Sequence, residues 1–361
     1  MRKQTAILFL IIASLWASNI LFAAGNMEQE ASSPPVTSAI DAASQSVTVE
    51  HPIDSIAIIG KAAIMPADAL YLFETAMNSK VTMAKTDQGM GDFFEILVPE
   101  EQQTKRLGQT INSEEIVAMD PDLILTKLRN RDAIASQADM FDIPLFALDL
   151  ETSSAWKNEI VQLGKLLGES ERAAEIVGAI EERESDVAQR IEGVESSDVL
   201  VLQGSTSDGF TAFSIPPSDW IQTELVKKAG GNPILEEKGS TGWSVVSFEQ
   251  IAAWDPAYII IVSYRSKGDS FTEEIYQNPE WQQLRAVKEN NLLLAPSDYV
   301  NYFQPNSRWI LALQWLAKSI HPEQFADMDM EHEVATFYET FYNIKDEETL
   351  DHLVSLYRES L

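Results

Sequence analysis

The residues that could bind a metal or move a proton are few, and their spacing suits neither task. The four histidines are His51, His321, His332 and His352; the first precedes the first apolar strand and the others follow the last helix of the core. A bare zinc or manganese ion needs several imidazoles converging on one point, which this spread argues against. Hydrolysis also lacks its parts. The chain contains neither Gly-x-Ser-x-Gly nor His-Glu-x-x-His, and no histidine stands where it could serve a nucleophile as base. No catalytic residue, metal ligand or cofactor is assigned. Cysteine is absent, which excludes a disulfide framework and a lipid-modified cysteine.

One pattern with chemical content occurs twice. Residues 114–125 read Glu-Glu-Ile-Val-Ala-Met-Asp-Pro-Asp-Leu-Ile-Leu and residues 249–260 read Glu-Gln-Ile-Ala-Ala-Trp-Asp-Pro-Ala-Tyr-Ile-Ile, with six of twelve positions identical. Each copy predicts a short helix ended by Asp-Pro, since proline disfavours helix in the residue before it, and then a buried strand. The halves therefore share a supersecondary unit. Ser113 and Ser247 are candidate caps, which would set Glu114 and Glu249 at the positive end of a helix dipole. That placement alone leaves two readings of the glutamates open, helix stabilisation or contact with a partner.

The elements that must position these residues follow from the apolar pattern. Short apolar runs at 55–59, 81–84, 123–126, 144–150, 198–202, 258–263 and 291–294 alternate with helical periodicity. Continuous apolar strands between helices predict an α/β fold whose parallel sheets are covered on both faces. A chain of 361 residues suits two lobes. Between them, 170–193 keeps helical spacing over roughly 35 Å and is expected to act as a stiff strut. The boundaries are a signal peptide at 1–25, a flexible leader at 26–50, an N-terminal lobe at 51–168, an interdomain helix at 169–194, and a C-terminal lobe with a terminal helical cap at 195–361. Arg2 and Lys3 followed by the apolar run 6–24 read as a secretory signal, with an uncleaved anchor as the competing reading. An extracytoplasmic monomer is expected. A net charge of -30 argues against nucleic-acid binding, which demands clustered cations.

From Ile53 to about Phe325 the chain resembles the class III solute-binding proteins of ABC importers, the family that carries cobalamin, haem and ferric siderophores. The likeness rests on Asn112-Ser113-Glu114-Glu115-Ile116-Val117-Ala118-Met119-Asp120-Pro121-Asp122-Leu123-Ile124, on Trp243-Ser244-Val245-Val246-Ser247-Phe248-Glu249-Gln250-Ile251, and on Ser297-Asp298-Tyr299 leading to Ser307-Arg308-Trp309-Ile310-Leu311-Ala312. Their order and spacing around the central helix carry it.

The resemblance implies two Rossmann-like lobes with parallel sheets, joined by a single long rigid α-helix, with a ligand cleft between them. It implies no enzyme. Glu114 and Glu249 match the glutamates that meet the two permease subunits. Trp243 falls at the aromatic position of the second-lobe wall. Tyr299 and Tyr302 follow a strand end, Trp220 adds to the aromatic supply, and Arg308 either faces an anionic ligand or pairs with a neighbouring acid. From the first lobe, Lys61, Met65, Asp87, Met90 and Phe93 follow strand ends as wall residues. The loop Gly60-Lys61-Ala62-Ala63-Ile64-Met65-Pro66 departs from the commoner family pattern. The expected ligand is a metal chelate, with iron favoured. The alternatives are a molybdate or tungstate carrier using Lys61, Ser214, Ser218 and Arg308, a sensor presenting its closed form to a receptor, and a secreted hydrolase.

Overall fold

The first element corrects the sequence reading. In the computed structural model, which describes residues 35–361 apart from 111, 208–209, 236–241 and 266–267, part of the expected leader is folded. β1 (Val36–Ile40) and β2 (Ser46–Glu50) pair antiparallel. Alternation explains the pairing: Ala39, Val47 and Val49 are buried while Ser38, Thr48 and Glu50 face away. Asp41 fixes the turn by accepting from the amides of Ala43 and Gln45, and Ala42 N donates to Ala147 O, which ties the hairpin to the first lobe. The signal expected at 1–25 lies outside the described residues.

The first lobe is built on β3 (Ser55–Ile58), β4 (Lys80–Met83), β5 (Leu123–Lys127) and β6 (Leu145–Leu148), all parallel in the order β4-β3-β5-β6. Its principal helices are α1 (Ile64–Leu70), α2 (Ser113–Met119), α3 (Arg131–Met140) and α4 (Ser153–Leu166). α5 (Ser170–Arg190) leads into the second lobe, which holds β7 (Asp198–Ser207), β8 (Phe210–Ile215), α6 (Ile221–Lys228), β9 (Asn232–Pro233), β10 (Ser244–Val246), α7 (Phe248–Trp254), β11 (Tyr258–Val262), α8 (Asp269–Gln277) and β12 (Leu292–Leu294). The chain ends in α9 (Trp309–Ile320), α10 (Met330–Tyr342) and α11 (Glu347–Glu359).

The second sheet repeats the first. β9, β7, β11 and β12 run parallel in the same relative order as β4, β3, β5 and β6, so the duplicated helix precedes the third parallel strand in both lobes. The expectation of wholly parallel sheets needs one amendment. β8 and β10 add antiparallel strands on the far half of β7. β7 is ten residues long, so one end pairs with β9 and the other with β8.

α5 buries Ala173, Ile176, Ile180 and Val187, but Gly178 sits in its middle with open space on its side-chain face, since a methyl group there would meet nothing within 4 Å. What braces this helix is therefore the packing and bonding along it. Glu184 on α5 pairs with Lys157 of α4 at 2.6 Å and with Lys228 of α6 at 2.9 Å. Glu224 of α6 accepts from Ser153 N at 2.8 Å at the start of α4, so the lobes are bonded directly as well. The terminal helices are also not confined to one lobe. Arg172 of α5 donates to the carbonyls of Thr340 and Phe341, and Tyr342 donates to Asp68 on α1.

Candidate functional site

The two lobes meet at the C-terminal ends of their parallel strands. Gln88, after β4, and Gln304, after β12, exchange side-chain hydrogen bonds at 2.6 and 3.3 Å. Gly89 has φ +96°, and a Cβ there would stand 2.8 Å from the Arg265 carbonyl, so this close approach of loops from opposite lobes requires glycine. In each sheet the strand order reverses between the first and third parallel strands, at β3/β5 and β7/β11. Open α/β sheets place ligands in the crevice at such points.

On the second-lobe side, Trp243 is half-buried, with its ring 6.2 Å from that of Trp220 and 6.0 Å from that of Tyr264, both edge-on. The Tyr264 hydroxyl accepts from Gln222 at 3.0 Å and donates to Phe303 O at 3.1 Å; burial holds its pKa well above the usual phenol range. On the first-lobe side, Lys61 is exposed and its carbonyl accepts from Asn130 at 2.8 Å. Met65 and Met90 are half-buried. Asp87 is held by the amides of Gly89 at 2.6 Å and Gly91 at 3.2 Å, and these bonds with Lys85 lower its pKa.

Three expected wall residues are placed elsewhere. Arg308 is 1% exposed, with Asp68 at 2.6 Å and Asp298 at 2.9 Å, and its guanidinium lies 4.2 Å from the centre of the Phe93 ring. Of its two readings, pairing with acids is the one the structure has. Phe93 is buried in that cluster against Tyr338 and Tyr342. Tyr302 is wholly buried and stacked on Tyr357 at 6.1 Å, a core position. Tyr299 is half-buried and bonds His352 at 3.0 Å. The set considered for an oxyanion is dispersed too, because Ser214 is buried in β8, Ser218 is exposed and Arg308 is occupied.

Sequence reasoning missed Lys127 and Glu151. Lys127 ends β5 at the switch point, is 1% exposed, and its Nζ stands 2.7 Å from Glu151 Oε1. Nearby, Glu159 accepts from the amides of Asp149 and Leu150, and burial pushes its pKa up to about 7. The strand-end rule that picked Lys61 would have found Lys127, had the polar residue closing an apolar run been counted.

The duplicated helices match in detail. Asn112, not Ser113, caps α2, in a capping box with Glu115, and Ser247 caps α7. Glu114 and Glu249 consequently occupy the same second helical position, both exposed, while Ile116 and Ile251 are the buried counterparts below. Both helices end on a left-handed aspartate, Asp120 and Asp255. The Glu249 carboxyl is lowered by its own amide and by Ser247. Among the described residues, no group of three or more acids and histidines is arranged for a metal ion, and no helix is long and apolar enough to cross a membrane.

Comparison with known proteins places this geometry. The periplasmic binding protein family matches residues 81–299. A molybdate-binding protein of Haemophilus influenzae is 23% identical over 281 residues, covering 70% of this chain and 76% of its own. An iron-uptake system-binding protein of Bacillus subtilis is 24% identical over 201 residues, 54% of this chain and 59% of its own. A periplasmic solute binding protein of Veillonella parvula has a similar structure, with TM-score 0.72 at 20% identity, covering 91% of this chain and 100% of that one. A Helicobacter pylori protein solved with Ni(II) bound gives TM-score 0.69 at 19% identity, covering 88% and 99%.

Proposed function

Because the chain belongs to the periplasmic binding protein family, as the extracytoplasmic substrate-binding component of an ABC importer, we propose that its cargo is an anionic metal chelate, a ferric chelate above all. One observation carries this reading. Trp220, Trp243 and Tyr264 form an aromatic cluster on the second-lobe side, and the loops that follow β3, β5 and β11 carry the exposed cations Lys61, Arg129 and Arg265. In a chain of net charge -30, such cations collected on the cleft loops are what would let an anion approach. Flat aromatic faces suit a ligand with an extended organic shell better than a bare oxyanion. The likeness to an iron-uptake binding protein supports this.

A second reading, capture of molybdate, is favoured by the relative that aligns over 70% of the chain. Fluorescence titration separates the two. With ferric citrate or a ferric catecholate, tryptophan emission should be quenched, and Trp243→Ala should weaken binding about tenfold, or about 1.4 kcal/mol. Saturable binding of molybdate alone would transfer the assignment to the oxyanion. For delivery, Glu114 and Glu249 are proposed as the contacts with the two permease subunits. Two acids on linked lobes give the second contact a high effective concentration.

A further inference from the structure

Lys127 is buried in a way that ordinary core packing does not explain. It closes β5 at the switch point of the first sheet and is 1% exposed, and its Nζ makes no hydrogen bond of good geometry. Its one close partner among the described residues is Glu151, at 2.7 Å, whose side chain retains 19% exposure. A buried ammonium has three protons to place, and a buried pair with unmet donors is seldom a net source of stability. The surroundings are those of the cleft. Glu151 follows β6 and lies close enough for its charge to raise the pKa of Tyr264, which belongs to the opposite lobe and touches Trp243. Further acids, Glu159 and Asp149, sit behind the lysine, and Lys127 in turn lowers the Glu159 pKa.

We infer that Lys127 is the cation at the floor of the cleft that receives an anionic oxygen of the ligand, and that Glu151 is an internal stand-in for that oxygen, displaced when the ligand enters. The inference rests on the anionic-ligand reading and adds to it a residue and a mode of competition. The buried Nζ already stands 2.7 Å from a carboxylate oxygen, so an incoming carboxylate, catecholate or oxyanion exchanges one oxygen contact for another. Glu151, being partly exposed, can swing into water at little cost, whereas Lys127 is fixed by the strand. A ligand that offers no anionic oxygen cannot make the exchange, which gives selectivity against neutral chelates.

The full chain is titrated with ferric citrate, a ferric catecholate and sodium molybdate, read by tryptophan fluorescence, in the wild type, Lys127→Met, Glu151→Gln and the double variant. Lys127→Met is expected to weaken the bound anion at least tenfold, and Glu151→Gln to tighten it several-fold by removing the competitor. Should Glu151→Gln lower the melting temperature, the double variant is expected to restore it while binding as weakly as Lys127→Met. Lys127→Met binding like the wild type would overturn the inference and leave the chelate reading in place. Glu151→Gln weakening the anion as Lys127→Met does would overturn the competition. Wild-type protein that binds none of the three anions would remove the anionic reading, and this inference with it.

Discussion

At the scale of single residues, the charged groups divide by what surrounds them. Arg308 is engaged through two of its three side-chain nitrogens: Asp68, Asp298 and the hydroxyls of Tyr338 and Tyr342 hold Nε and Nη1, Nη2 is buried without a hydrogen bond, and Phe93 covers one face. Its place is structural, pinning first-lobe, second-lobe and C-terminal elements together. Glu159 has a different consequence, for pH. Its folded-state pKa, about 7, lies above the ordinary 4.5, chiefly because burial penalises the charged form. Below pH 4.5 both folded and unfolded chains hold this proton and its contribution is full. As pH rises toward 7 the unfolded chain releases the proton first, so stability falls by on the order of 3 kcal/mol and then levels off. Urea denaturation from pH 4 to pH 8 should show this slope, and Glu159→Gln should flatten it. An unchanged slope in the variant would place the titration on another group.

At the scale of elements, the proposed docking rests on the duplicated helix unit. α2 and α7 share an N-cap, an exposed glutamate at the second position, a buried isoleucine and a left-handed aspartate end, and each precedes the third parallel strand of its sheet. Reversal of both Glu114 and Glu249 to lysine is expected to abolish uptake in cells while ligand affinity in vitro stays at the wild-type value. Normal uptake by the double variant would end the docking assignment. α5 carries a simpler prediction. Gly178 lies in the middle of a 21-residue helix with open space beside it. Gly178→Ala should therefore stabilise the protein by up to about 1 kcal/mol, since glycine loses more backbone entropy in a helix. A lower melting temperature in that variant would mean an unrecognised contact at this face.

At the scale of the whole molecule, the lobes are fastened at several separated places. Glu224 accepts from Ser153, Glu184 bridges Lys157 and Lys228, Arg308 holds Asp68, and Gln88 meets Gln304. A hinge opening would have to break several of these together, so binding should proceed with little rigid-body motion. Small-angle scattering is expected to give the same radius of gyration with and without saturating ligand. A contraction characteristic of large domain closure would show that these braces yield.

Residue order alone was enough for the α/β class, the strands that form both parallel cores, the long central helix and the duplicated unit with its two glutamates. These are written in local patterns: apolar runs, helical spacing and an Asp-Pro break. It did not reveal the β1–β2 hairpin, whose short strands expose six of their ten residues and which is tied to the first lobe by the Ala42 N to Ala147 O bond. Nor could it choose between the two readings of Arg308, or distinguish Tyr302 in the core from Trp243, half-buried beside Trp220 and Tyr264. Those distinctions came with the assembled fold, because the acids that claim Arg308 lie 240 and 10 positions away along the chain. Burial and charge pairing are properties of the neighbours a fold brings together, and a side chain's type and register do not carry them.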